Sequence, residues 1–415
     1  MKIRMAGKSD HRKPFARGGL LSVVGAVLLS IASNSLIAGD LERRQAKRIH
    51  DRLAGVPPTD LIVDFSQGYT ILDLMEQDIL AGDPEAAAWR AMDNPGFYNV
   101  TLKNFAMPWT NEARDVFSPL NDYVATVIGM VRDQVPFDQV LSADIIYIGD
   151  AALVPGLPAY SNSDNAHYEF LEADDANLKD VLVQRPQSTT TGLPAAATAG
   201  VITSRAAARA FFIDGTNRAM FRFTMMNHLC TDLDPIKDTS RDPARIRQDV
   251  SRSPGGDSRI FLNNCVGCHA GMDPMVQAFA YYDYQYPPGD EESGQLVYTP
   301  GSVQPKYLIN SDTFKFGYVT PDDHWDNFWR FGPNSALGWS GSLPGNGDGA
   351  RSLGEELAAT EAFAQCQVRK VFKTVCLHDP STAEETEIDT MLAAFKSDYN
   401  LKTVFAKAAV ACSGD

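Results

Sequence analysis

Apolar residues return every three or four positions along several stretches of this chain, and the turn formers between them mark out helices. The first stretch runs from Leu41 to Leu53, with Ile49 and Leu53 on one stripe, and Pro57-Pro58 stops it. Asp60 to Tyr69 has an extended character. Thr70 to Ile79 and Ala86 to Met92 read as helices parted by Gly82-Asp83-Pro84, and Phe97 to Met107 ends at Pro108. Ser118-Pro119 predicts a helix over Leu120 to Val131, with Ser118 as cap and Pro119 at the first helical position. Asp144 to Ile148 is strand-like. Asn165 then caps a helix opening at Ala166, Thr203 caps Ser204 to Phe212, and Asn217 to Leu229 carries Met220, Thr224 and His228 along one face.

The pattern changes after Tyr281 to Tyr286. Residues 290–350 are rich in turn formers and poor in long periodic runs, which predicts an irregular insertion of loops and short strands. Periodicity resumes at Ser352, where Ser352 and Glu355 form a capping-box pattern for a helix striped by Leu357, Ala364, Val368, Val371 and Val375. Glu384 to Phe395 and Leu401 to Ala411 are two further helices. The Pro, Gly and Ser-rich passage from Pro155 to Asp164 is the best candidate boundary. It divides the chain into an N-terminal helical region, 40–155, and a second region, 156–415, that contains the insertion. The fold class is mainly α.

Composition and charge add a compartment. Residues 1–39 open with Lys2, Arg4, Lys8, Arg12, Lys13 and Arg17, run apolar from Leu20 to Ser33, and reach small residues near Ala38, the order of a secretory signal peptide. The apolar core is shorter than a spanning helix needs, so no stable membrane span is expected. Removal of this segment takes away six Lys/Arg and one Asp, moving the net charge from −15 to −20. That balance disfavours nucleic acid and anionic membranes, and a basic redox partner fits it better. The hydrophobic content of 44% is ample for a large core.

Chemistry is concentrated in Asn264-Cys265-Val266-Gly267-Cys268-His269, a single C-x-x-C-H. Two thiols three residues apart fall on one side of a helical turn, where both can add to the vinyl groups of a porphyrin while the next imidazole reaches the iron. Three other readings stand beside this one: a zinc site, a thioredoxin-like dithiol and a structural disulfide. Zinc wants four ligands, and no second C-x-x-C or H-x3-5-H is present. Ser258 to Leu262 lacks the strand that a dithiol frame would use, and a disulfide would leave His269 without a role.

The flanks point the same way. Ser253-Pro254-Gly255-Gly256 breaks the chain, Asp257 caps a new helix, and Phe261, Leu262, Cys265, Cys268 and His269 share a broad face. Asp273 and Pro274 read as the cap and first position of a second short helix, with the haem between the two helices. The run C-x-x-C-H-x-x-M-D-P, Cys265 to Pro274, resembles the haem segment of the large planctomycete-type cytochrome c proteins. Arg52 to Thr59, Met130 to Tyr147 and Phe363 to Phe372 are similar to the same family. The resemblance implies one covalent haem c on Cys265 and Cys268, with His269 as metal ligand, in a multi-helix cytochrome c-like region of an exported protein. It implies no substrate.

Three functions follow: an exported periplasmic or extracellular monohaem cytochrome that carries electrons, a haem-dependent oxidoreductase with its own substrate pocket, or a haem-bearing subunit of a surface assembly. No hydrolase, nucleotide-binding or zinc-peptidase motif is present. Candidate residues for the opposite axial position are His167, Met225, Met226, His228, His324, His378 and Met391, while Met272 is expected to pack beneath the ring. Arg245, Arg247 and Arg252 are candidates for the propionates or for solvent. Asp322-Asp323-His324-Trp325-Asp326 and Gly345 to Gly349 are weaker metal patterns. Cys366 and Cys376 lie on one predicted helix, about 15 Å apart, too far for a disulfide. Of the two remaining pairings, Cys230 with Cys366 and Cys376 with Cys412 is favoured for an exported chain.

Overall fold

Caps decide where the helices begin. The computed structural model describes residues 40–213, 215–252, 257–309 and 314–414, so the expected signal peptide and the Ser253 to Gly256 break lie outside the described residues. Helix α1 spans residues 40–54. Thr70 opens α2 (Ile71–Leu80) through a capping box with Asp73, and Asp83 caps α3 (Pro84–Ala91), which starts on its proline. A continuous helical stretch from Phe97 to Ala106 begins as a π-turn. Helix α4 (Asp122–Arg132) starts two residues later than expected, because Asn121 and not Ser118 supplies the capping oxygen to Val124.

Helix α5 (Ala166–Ala173) follows, then α6 (Arg205–Phe211), capped by Ser204 where Thr203 was expected, and α7 (Arg218–His228). The helix predicted from Ser352 to Val375 is two: α9 (Gly349–Ala358) and α10 (Glu361–Cys376), the second capped by Thr360. Ser352 is therefore an interior residue. Its hydroxyl accepts from Trp325 Nε1 at 2.8 Å and donates to the Asp348 carbonyl at 2.7 Å, so the capping box does not form. Helices α11 (Glu385–Asp398) and α12 (Leu401–Ala411) close the chain.

Among the described residues, four antiparallel two-stranded pairs punctuate the helices: β1 (Ile62–Asp64) with β2 (Tyr69–Thr70), and β3 (Ile146–Gly149) with β4 (Leu182–Arg185). The irregular 290–350 stretch contributes β6 (Gln295–Tyr298), paired to β5 (Tyr282–Gln285), and the pair β7 (His324–Asp326) and β8 (Asn346–Asp348). Helix makes up 55% and strand 8%, which places the fold in the mainly α class.

One buried apolar cluster runs from Ala46 to Ala409. Part of it is the C-terminal bundle, where α12 lies against α10 and α3 with Val404, Phe405, Val368, Val371 and Phe372 fully enclosed. Two disulfides staple this bundle. Cys230 bonds Cys366 and Cys376 bonds Cys412, with Cα separations of 5.3 and 5.6 Å, the pairing favoured from sequence. Among the described residues no helix is long and apolar enough to cross a membrane.

Candidate functional site

The C-x-x-C-H turn sits on one uninterrupted helical rod. Ser258–Ile260 opens it with Asp257 as cap, Phe261–Cys265 winds as a π-turn, and α8 (Val266–Val276) continues in α geometry. A π-turn admits one extra residue and shifts the face presented by everything after it, a distortion often found at functional sites. Pro274 lies inside α8 and does not start a new helix. The expected break at Asp273-Pro274 is thus absent, and so is a second helix on which a haem would be sandwiched. Asp273 does no capping because its carboxylate is needed elsewhere.

Cys265 and Cys268 are the free thiols among the described cysteines, and both are half-buried. Burial pushes the Cys268 thiol up in pKa, and its Sγ lies 3.5 Å from the Leu233 carbonyl. His269 follows with 19% of its side chain exposed, its ring 5.9 Å from that of Phe261. Its Nδ1 is 3.1 Å from Asp273 Oδ1, one helical turn on. An ionised carboxylate only accepts, so Nδ1 carries a proton, and it is Nε2 of the neutral ring that would offer a lone pair to a metal.

Asp273 is fully buried, and all its acceptor positions are filled. Oδ1 accepts from His269 and from Arg218 Nε at 2.7 Å; Oδ2 accepts from Arg218 Nη2 at 3.0 Å and from the Arg247 backbone N–H at 3.1 Å. Burial alone would raise its pKa, but Arg218, and after it His269, hold the carboxyl well below the usual range. Arg218 in turn makes a second fork onto Asp249, at 2.8 and 2.9 Å. Arg247, also fully buried, closes onto Asp249 at 2.5 and 3.1 Å and stacks 3.8 Å over the Tyr307 ring. Two arginines and two aspartates therefore neutralise one another behind His269.

This network corrects the reading of Arg247 as a propionate partner or solvated group. Arg245 is also committed, to Asp326 at 2.5 Å. Arg252 remains near the site, with its guanidinium 5.8 Å from the Phe261 ring and 3.8 Å from that of Phe314. Apolar side chains are exposed here: Ile260 and Leu262 on the rod itself, Phe331 on the loop after Trp329, which packs on Gly271, and Phe316 on a loop bonded to residues 246–248. A flat apolar group held by the two thiols would cover such a surface, and the donor set of two thiols and one unengaged imidazole nitrogen suits a covalent haem.

The axial candidates are mostly engaged in the core. His167 spans the Gly149 N–H and the Pro158 carbonyl at 2.8 and 2.7 Å. His228 is buried with Nε2 2.7 Å from the Tyr123 hydroxyl, and Met225 and Met391 belong to the apolar cluster. Met226 packs partly buried against that cluster, and His378 is exposed beyond α10. Met272 is buried in the main apolar cluster. His324 pairs with Asp348 at 2.8 Å, and among the described residues no group of three His, Cys, Asp or Glu is placed to hold a metal ion. The 345–349 glycines lead through β8 into α9, with Gly349 at φ 71°.

Sequence reading missed Asp273, Arg218 and Asp249. The first carried a signal, since His269 and Asp273 are four residues apart and share a helix face. The other two have none, being brought from far along the chain. No protein-family model, curated protein or solved structure matches the chain.

Proposed function

We propose that this chain is an exported monohaem c-type cytochrome that carries electrons. Cys265 and Cys268 would hold the porphyrin through thioether bonds and His269 Nε2 would ligate the iron, which supplies one-electron exchange when bound. The observation that carries the reading is the His269–Asp273 contact beside two free thiols: the imidazole is oriented and its tautomer fixed before any metal arrives. Arg218 and Arg247 stabilise the Asp273 charge that does this. Oxidised staples at Cys230–Cys366 and Cys376–Cys412 support export, and the net charge of −15 supports a basic redox partner.

The test is attachment. The double substitution Cys265→Ala with Cys268→Ala is expected to remove haem stain from a denaturing gel; retention of the stain sinks the proposal. A second reading, a haem oxidoreductase, is favoured by the engagement of His167, His228, Met225 and Met391 elsewhere. Rapid carbon monoxide binding to the reduced protein selects it, and no binding selects the electron carrier.

A further inference from the structure

Away from the C-x-x-C-H turn, a cleft of about 520 Å3 opens between α10 and the segment before α4. Phe105, Pro108 and Trp109 form its apolar wall; Arg114, Lys370 and Lys373 bring positive charge to it. In a chain of net charge −15 such a gathering of cations calls for an explanation. Some of the charge is answered locally. Lys373 pairs with Asp379 at 2.9 Å, and neighbouring Arg369 pairs with Glu385 at 2.6 Å.

Lys370 and Arg114 are different. The Lys370 ammonium donates to the Asn227 carbonyl and lies 4.2 Å from the centre of the Trp109 ring, with no carboxylate partner among the described residues. Burial, and then the nearby Arg114, push its pKa well below the ordinary lysine value. Arg114 has no ion-pair partner among the described residues either. It acts on Asp232 through space, but Arg222 already forks onto that carboxylate at 2.7 Å. Arg114 is presented from a left-handed backbone, φ 55°, in a turn closed by Asn111. Arg114 is exposed and Lys370 half-buried, yet both line the cleft and the positive field of Arg114 acts on the Lys370 amine; an anion bound between the two side chains relieves that repulsion.

We propose that this cleft binds a small amphipathic carboxylate, with its head between Arg114 and Lys370 and its apolar body along Phe105, Pro108 and Trp109. A carboxylate accepts a planar fork from Arg114 and a further bond from Lys370. The cleft is of ordinary ligand size and mixes apolar walls with a few convergent polar groups. No lining residue of the cleft belongs to the C-x-x-C-H turn.

Phenylacetate and its neutral isostere phenylacetamide, titrated into the purified chain by calorimetry, test the proposal. Phenylacetate is expected to bind saturably and phenylacetamide at least tenfold more weakly. Arg114→Met and Lys370→Met are each expected to weaken phenylacetate at least tenfold while circular dichroism and the melting temperature show a folded chain. Should either variant fail to fold, Arg114→Lys, which keeps the charge and loses the fork, is expected to weaken it severalfold. Absence of saturable phenylacetate binding, equal binding of the amide, or unchanged affinity in the folded variants would each overturn it.

Discussion

Two places among the described residues gather cations, and they treat them in opposite ways. Behind His269, Arg218 and Arg247 meet Asp273 and Asp249 in a closed set whose charges cancel. In the cleft beside α10, exposed Arg114 and half-buried Lys370 share one lining, and neither has an ion-pair partner among the described residues. Enclosed charge is costly unless paired. A closed set therefore belongs to the architecture and orients a neighbour, whereas an open one stores unfavourable energy that a ligand of opposite sign can release. Charge balance inside the fold separates a support from a receptor.

The contrast can be broken at the closed set first. Arg218→Met leaves buried Asp273 without its main partner and Asp249 with Arg247 alone, and is expected to cost about 3–5 kcal/mol by chemical denaturation. A loss below 1 kcal/mol would show that water already shares the load. Asp249→Asn keeps the shape and removes one charge while Asp273 still answers Arg218, so a smaller loss of about 2–3 kcal/mol is expected from the same measurement.

A half-buried cap calibrates the scale. Thr70→Ala deletes the hydroxyl that accepts from the Asp73 N–H, with an expected cost of about 1 kcal/mol. Asp73 itself is held at about 2, by Arg43 first and then by Thr70. Because the folded value lies below the unfolded one, its contribution is complete above the unfolded value near pH 4 and disappears as pH falls through about 2. Unfolding curves at pH 7 and pH 2.5 should therefore bring Thr70→Ala and the parent closer together in acid.

The smallest change in stability is expected at the open set. Lys370→Met in the absence of ligand should leave stability unchanged or slightly raised, the reverse of Arg218→Met. Its pH dependence has a definite sign. The folded amine releases its proton below the unfolded value of about 10.4, so the unfolded chain binds more protons in that window and parental stability rises with pH. Methionine should remove that part of the slope; an unchanged slope between pH 7 and 10 would deny that the amine is enclosed.

Much of the helical frame was legible because its signals are local. The final helix runs from Leu401 to Ala411 as its periodicity predicts, and the spacing of Cys366 and Cys376 on one helix left two pairings, of which the favoured one forms. The errors arise where a local signal met a distant claim. Asp273-Pro274 has the form of a helix start, yet Arg218, 55 residues upstream, takes the carboxylate and the helix runs through the proline. Ser352 has the form of a cap, but the helix begins earlier and Trp325 uses the hydroxyl. The thiols and imidazole of the candidate site were visible as a motif. The charges that support His269 were not, because no spacing along the chain announces a contact between residues 218, 249 and 273. The cleft was likewise invisible, since Arg114 and Lys370 come from opposite halves of the sequence.

Six cysteines in one chain also impose an order of maturation. Four end in disulfides that close long loops, of 136 and 36 residues, while two neighbours on one turn stay as thiols. Exchange proceeds through the thiolate, so a thiol that holds its proton is slow to attack a bridge. Enclosure of Cys268 raises its pKa. Folding around this turn thus acts as a protecting group: once the rod is packed, Cys268 exchanges more slowly with the two staples.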